Sequence, residues 1–204
     1  MSLTLYHMQH SRSLRPLWLL EEIGVPYTLN VVERSALSGD DFMQKSSIGK
    51  VPVFFDGDKR LTESIATIQY IDGVHNGGWL SRKPGDDDYH DFLQMMEFGE
   101  AGMGGYAGLL VAHTVLLPPK HQNPAIRDWA KGEIDKGLCF IEGMVSADKD
   151  YLLGDFSLAD ISIAYMLYLL KITKNGQGFG DKTNAYFKRV AMRDAWVKAS
   201  AMKG

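Results

Sequence analysis

The stretch Gly49-Lys50-Val51-Pro52-Val53-Phe54-Phe55-Asp56-Gly57-Asp58, followed by Leu61-Thr62-Glu63-Ser64, carries most of the information about the fold. It predicts two short strands joined by a tight turn and followed by a helix start. Pro52 cannot donate to a sheet ladder, so the backbone of Val51 is left to pair with an extended ligand. The helix start offers hydroxyls, a carboxylate and unpaired N–H groups for an anion. Both features suit an extended peptide that carries a carboxylate beside an ammonium.

Two further motifs accompany this stretch. The segment Ser11-Arg12-Ser13-Leu14-Arg15 leads into an apolar helical run, and Gly154-Asp155-Phe156-Ser157-Leu158-Ala159-Asp160 lies near the other end. In order and separation, the three motifs resemble those of the soluble glutathione transferases over nearly the whole chain. The resemblance is to serine-type bacterial and fungal members. It implies that glutathione is the ligand and co-substrate, and that the protein is a homodimer.

The first 76 residues alternate between strand and helix patterns. Strands are predicted at 3–6 and 27–32, with a helix between them that starts near Ser13 and ends at Gly24. A strand, a crossover helix and a second strand imply parallel pairing. A short helix at 40–45, the hairpin and a helix at 64–72 follow. The pattern and the resemblance together predict a thioredoxin-like α/β domain, βαβ then ββα, over residues 1–76.

The rest of the chain shows helical patterns only. They cover residues 87–116, 124–145, 157–171 and, more weakly, 184–200. We therefore predict an all-helical domain over residues 87–204, which the resemblance identifies as the source of the second-substrate site.

Composition excludes several classes of protein. The 204 residues contain 22 Lys and Arg against 25 Asp and Glu, a formal charge of −3, which gives no general attraction to nucleic acid or anionic membranes. No apolar run is long enough to span a membrane, and the first residues do not resemble a signal peptide, so we expect a cytoplasmic protein. One cysteine, Cys139, excludes an internal disulfide framework and a Cys-x-x-Cys redox pair. His113 and His121 lack metal-ligand partners at suitable spacing, and no metal is expected.

The candidate catalytic groups surround the start of the first helix. A glutathione transferase lowers the thiol pKa of bound glutathione, because the thiolate is the nucleophile. This needs a hydrogen-bond donor near the sulfur, and in serine-type members a hydroxyl at this position supplies it. We rank Ser11 first, then Tyr6, then Ser13 and His10. The alternatives are helix capping for Ser11 and Ser13, and a core aromatic side chain for Tyr6.

The resemblance also implies the glutathione-binding residues. Val51 would bind the cysteinyl part of glutathione through its backbone, before a cis Pro52. Lys50 would hold the carboxylate at the glycine end, or be a solvated hairpin lysine. Glu63 would accept from the γ-glutamyl ammonium, and Ser64 would donate to the neighbouring carboxylate, although both also fit a simple helix start.

Two features of the helical region have different interpretations. Ser157 and Asp160 fit a capping box, which we assign to stability. Met103 and Tyr106 lie among several glycines and could line an adaptable second-substrate pocket. Close helix packing within the bundle or across a dimer seam explains the glycines equally well.

The resemblance therefore implies a glutathione transferase that conjugates the glutathione thiolate to a hydrophobic electrophile in detoxification. The alternatives are a non-catalytic binding module that keeps the fold, and a glutathione-dependent peroxidase. Fold alone does not decide among them.

Overall fold

A four-stranded sheet forms the centre of the N-terminal part of the chain. The structure, a computed structural model, describes residues 2–202. The strands lie in the order β2-β1-β3-β4, with the bounds β1 Leu3–His7, β2 Tyr27–Val31, β3 Val53–Asp56 and β4 Lys59–Leu61. β2 is parallel to β1, whereas β3 is antiparallel to both β1 and β4. The predicted thioredoxin-like fold, βαβ then ββα, is confirmed.

The register of β1 and β3 brings two candidate segments together. Tyr6 near the end of β1 lies opposite Val53 at the start of β3. Because the two strands are antiparallel, the loop that follows β1 and the segment that precedes β3 meet at the same edge of the sheet. The segments that contain Ser11 and Val51 therefore converge at this edge.

Four helices accompany the sheet: α1 Leu14–Ile23, α2 Asp40–Ser46, α3 Ser64–His75 and α9 Asp194–Ala201. α1 buries every residue from Leu14 to Leu20. It ends at Gly24, which has a φ of 68° and donates its N–H to the Leu20 carbonyl at 3.0 Å. This left-handed C-cap favours glycine, as the sequence predicted.

The weak helical pattern at 184–200 is two helices, and the prediction of a single one is wrong. The first of them, α8 Asp181–Ala191, ends two residues before Arg193, which has an extended backbone and precedes α9. α9 packs on α1, where the rings of Trp18 and Trp196 meet edge to face with centroids 4.8 Å apart. The Arg193 guanidinium also donates to Glu22 of α1. By their contacts, residues 191–202 group with residues 2–82.

Residues 83–190 form a separate helical unit. Its helices are α4 Tyr89–Glu97, α5 Gly104–Val111, α6 Pro124–Met144, α7 Leu158–Ile172 and α8 Asp181–Ala191. The capping box at α7 is formed, and the buried Asp160 accepts from the backbone N–H of Ser157 at 2.8 Å. Asp160 also accepts from the Tyr186 hydroxyl at 2.9 Å, so it ties α7 to α8.

The long helix predicted at 87–116 is interrupted by a π-helical turn at Phe98–Gly102 and ends in a second one at Ala112–Leu116. At the first turn, the buried Ser162 hydroxyl donates to the Met96 carbonyl at 2.7 Å. Gly99 approaches α7 so closely that a Cβ atom there would lie 2.3 Å from Ser162 Oγ. The π-helical turn at Phe98–Gly102 therefore lies where this helical run crosses α7 at close range. Among residues 2–202, no helix is long and apolar enough to cross a membrane.

Candidate active site between β1 and α1

The loop between β1 and α1 orients two hydroxyl groups. Ser13 is fully buried, and its Oγ accepts the Met8 N–H at 3.1 Å and lies 2.8 Å from His7 Nδ1. Ser11 is half-buried, and its Oγ lies 2.7 Å from Ser13 Oγ and donates to the Met8 carbonyl at 2.7 Å. The Ser13 side chain makes no capping hydrogen bond to α1. The alternative interpretation of Ser13 as a helix cap is wrong, because its hydroxyl bonds within the loop.

The other two candidate donors have different surroundings. Tyr6 is half-buried, and its ring meets those of Phe42 and Phe55 edge to face at 6.2 and 6.1 Å. This matches the alternative interpretation of Tyr6 as an aromatic packing residue. His10 is exposed and has a φ of 61°, the left-handed conformation. In this loop, the Ser11 hydroxyl is partly exposed and is also hydrogen-bonded directly to the buried Ser13 hydroxyl.

The segment before β3 has the features that the resemblance implies. The Val51–Pro52 peptide bond is cis, and both residues are buried. Val51 precedes the strand, and its N–H and C=O take no part in the ladders of β3 with β1 and β4. The neighbouring Lys50 has an exposed side chain, while its backbone N–H and C=O both bond to Ser46 Oγ, at 2.9 and 2.8 Å.

The start of α3 places a buried cation beside a hydroxyl. Glu63 is exposed, precedes α3 and has an extended backbone. Ser64 is the first residue of α3 and is buried, and its Oγ accepts from Arg15 Nη1 of α1 at 3.0 Å. Ser64 keeps its own proton for donation. This bond from Arg15 holds α1 to α3.

Of the predicted second-substrate residues, Tyr106 lies on α5 and Met103 directly precedes this helix, and both contact α6. Met103 is 1 % exposed and packs against Gly137, where a Cβ atom would lie 3.3 Å from Met103 Cγ. It therefore fills the contact between two helices, and nothing in its surroundings makes it the wall of an open pocket. Tyr106 is half-buried and meets the exposed Trp129 ring edge to face at 5.5 Å. Close packing accounts for Met103, while Tyr106 keeps a partly open face.

Comparisons with known proteins agree with this arrangement. Residues 1–73 match the family model described as glutathione S-transferase, N-terminal domain. Glutathione S-transferase 4 of Zea mays is 31% identical over 172 residues, which cover 78% of this chain and 73% of the maize protein. The chain belongs to the glutathione S-transferase family.

Solved structures support the fold of this transferase family member over nearly its full length. A glutathione transferase from Methylococcus capsulatus is 25% identical with a TM-score of 0.84, and the match covers 97% of both chains. A Phanerochaete chrysosporium glutathione transferase, crystallised with oxidised glutathione, is 23% identical with a TM-score of 0.82, and covers 97% of this chain and 92% of its own.

One residue of this candidate site was missed by sequence reasoning. His7 is the inward-facing last residue of β1, after Leu3 and Leu5, and it is 1% exposed. Burial lowers its pKa to about 4, with a smaller lowering from His10, while a hydrogen bond to the Ser13 backbone opposes the shift. His7 is therefore a neutral imidazole at neutral pH. The strand alternation could have placed it inside, but its contact with Ser13 depends on the loop.

Proposed function

We propose that this chain binds glutathione and transfers its sulfur to an electrophilic small molecule. The observation that supports this best is the convergence of three segments: the Ser11 loop beside the Val51–Pro52 segment across β1 and β3, and α3 bonded to α1 through Arg15. Among residues 2–202, no group of three or more potential metal ligands is found, and the proposed reaction uses none.

The start of α3 suits the γ-glutamyl end of glutathione. The first N–H groups of a helix lack partners within it and favour a negative charge. The buried Arg15 guanidinium adds positive potential behind the Ser64 hydroxyl. A carboxylate would bind to these N–H groups and to the Ser64 proton, and the exposed Glu63 would accept from the ammonium beside it.

The Val51 backbone suits the cysteinyl part of glutathione. An extended peptide can pair with its N–H and C=O as a short additional strand. This pairing would direct the cysteinyl sulfur toward the Ser11 loop at the same sheet edge. Lys50 would interact with the carboxylate at the glycine end as an exposed point charge, which contributes about 1 kcal/mol or less.

Ser11 would donate its proton to the glutathione thiolate. A hydrogen bond to the charged form of a group lowers its pKa, so the thiol would lose its proton to solvent at neutral pH. The thiolate electron pair then forms a bond to the electrophilic carbon, and the leaving group departs with its bonding electrons. Tyr6, Ser13 and His10 are the competing donors, and each can be tested by substitution.

The finer properties of the protein rest on family membership. A hydrophobic electrophile, a role in detoxification, a cytoplasmic location and a homodimer are all part of the proposal. The Phanerochaete chrysosporium relative with oxidised glutathione supports glutathione as the ligand. Tyr106, with its open face beside Trp129, is the remaining candidate for contact with the second substrate.

Retention on immobilised glutathione, followed by conjugation of glutathione to a dinitrophenyl halide, tests the proposal. We expect retention, turnover, and loss of turnover in Ser11→Ala. Ser81→Ala is a matched control, because Ser81 bonds to the buried Asp72 at 2.6 Å and has no proposed role in binding. Retention without turnover would favour a binding module, and turnover only with a hydroperoxide would favour a peroxidase. A protein that is not retained overturns the proposal.

A further inference from the structure

The loop between β1 and α1 contains a continuous chain of three hydrogen-bonding side chains. His7 Nδ1 lies 2.8 Å from Ser13 Oγ, which lies 2.7 Å from Ser11 Oγ. The chain runs from a fully buried imidazole to a half-buried hydroxyl. Ser13, whose side chain makes no capping bond to α1, is the middle member of this chain.

The proton inventory of Ser13 allows two directions along the chain. Ser13 Oγ accepts the Met8 N–H at 3.1 Å, which uses one of its two lone pairs. Its proton can go to Ser11 Oγ at 2.7 Å, to His7 Nδ1 at 2.8 Å or, at the longer distance of 3.3 Å, to the Met8 carbonyl. The two side-chain neighbours are the closer ones, and each defines one direction of hydrogen bonding. If His7 Nδ1–H donates, Ser13 donates to Ser11. If Ser11 donates, Ser13 donates to His7 Nδ1, and the ring carries its proton on Nε2.

The two directions have opposite consequences for Ser11. When Ser11 donates to Ser13, the only proton of its hydroxyl is taken up by this hydrogen bond and is not available to a ligand. When Ser11 accepts from Ser13, its proton points out of the chain, as in its 2.7 Å bond to the Met8 carbonyl. A hydroxyl that accepts one hydrogen bond is also a stronger donor in the next, because neighbouring bonds polarise each other.

We propose that His7 and Ser13 are positioning residues: the Nδ1-protonated tautomer of His7, acting through Ser13, keeps the Ser11 proton directed outward to the bound thiolate. This inference rests on the proposed function, in which Ser11 is the thiolate donor. When the thiolate binds, the Ser11 proton turns from the Met8 carbonyl to the sulfur. No bond is made or broken in His7 or Ser13.

The charge state of His7 suits this role. Burial keeps the ring neutral at neutral pH, so one ring nitrogen carries a proton and the other does not. A neutral ring orients the two hydroxyls without placing a second charge beside the thiolate. The neighbouring His10 lowers the pKa of His7 further, which is the direction that favours the neutral form.

The thiol pKa of bound glutathione, followed by thiolate absorbance, tests the proposal in variants that leave Ser11 in place. We expect Ser13→Ala and His7→Leu to raise this pKa by about one unit, which is about tenfold in thiolate. The value of kcat below this pKa should fall in proportion, while KM for glutathione changes less than about twofold. His7→Asn should retain the wild-type thiol pKa, because its amide can donate to Ser13.

The control and the contradicting outcomes separate this inference from the proposed function. Ser81→Ala also loses a side-chain hydrogen bond, the one to Asp72, and should leave the thiol pKa of bound glutathione unchanged. If Ser11→Ala raises the thiol pKa but Ser13→Ala and His7→Leu do not, the positioning role is refuted and the proposed function stands. If Ser11→Ala has no effect while glutathione binds, the assignment of the donor fails, and the inference fails with it.

A spectroscopic measurement on the wild-type protein avoids any loss of folding in the variants. The nitrogen-15 chemical shifts of the His7 ring report which nitrogen is protonated. In the glutathione complex we expect the proton on Nδ1. A proton on Nε2 in the complex would overturn the proposal, because Ser13 would then donate to His7 and Ser11 to Ser13.

Discussion

Substitution of Gly99 by alanine should destabilise the protein strongly, although alanine favours a helix. A Cβ atom at Gly99 would lie 2.3 Å from Ser162 Oγ, 2.7 Å from its carbonyl oxygen and 2.8 Å from its carbonyl carbon. Two of these atoms belong to the backbone of α7, so they cannot rotate away. Overpacking of this kind costs about 1–3 kcal/mol, and loss of the Ser162 bond to Met96 would add about 1 kcal/mol. We expect a net loss of about 2 kcal/mol or more.

Gly108 provides the matched control for this substitution. It lies in α5 of the same helical run, and a Cβ atom there would meet nothing within 4 Å. Gly108→Ala should therefore raise the free energy of unfolding by about 0.5–1 kcal/mol. Equilibrium unfolding in urea, followed by circular dichroism, measures both changes. If Gly99→Ala is as stable as Gly108→Ala, the close crossing at Gly99 is refuted as the cause of the interrupted helix.

Three further substitutions test other parts of the structure. Glu142→Ala should lower the free energy of unfolding by about 2 kcal/mol, since Glu142 accepts from the N–H groups of Lys182 and Thr183 at the start of α8; urea unfolding measures it. Arg193→Met should weaken the attachment of α9 to α1 and thereby increase amide hydrogen exchange in α9. Between about pH 6.5 and about pH 4, His7 is protonated in the unfolded chain but not in the folded one. The free energy of unfolding should therefore fall by about 1 kcal/mol for each unit that the pH is lowered through this range. His7→Asn should lack this contribution.

The sheet could be predicted because its signals are local. Gly24 ends α1 and Pro52 precedes β3, and both effects depend on the residue itself and its immediate neighbours. The π-helical turn beside Gly99 could not be predicted in this way, because it depends on Ser162 from a distant helix. The separation of α9 from α8 likewise depends on contacts of Trp196 and Arg193 with α1.

For the candidate site, the residue types were predictable and their partners were not. Ser11 and Ser13 are visible as hydroxyls near a helix start, but the helix start alone favours capping, and the structure directs Ser13 to His7 instead. The bond from Arg15 to Ser64 joins two helices that the sequence places far apart. Such partners are set by tertiary packing, so no local pattern specifies them.

The thiol pKa of glutathione bound to the wild-type protein decides whether this site activates the thiol. Titration of the thiolate absorbance, with free glutathione measured in parallel, gives the shift caused by the protein. We expect the bound thiol to ionise at least about one pH unit below the free thiol, whose pKa is about 8.5. Glutathione that binds with an unshifted thiol pKa, or that does not bind, would contradict it.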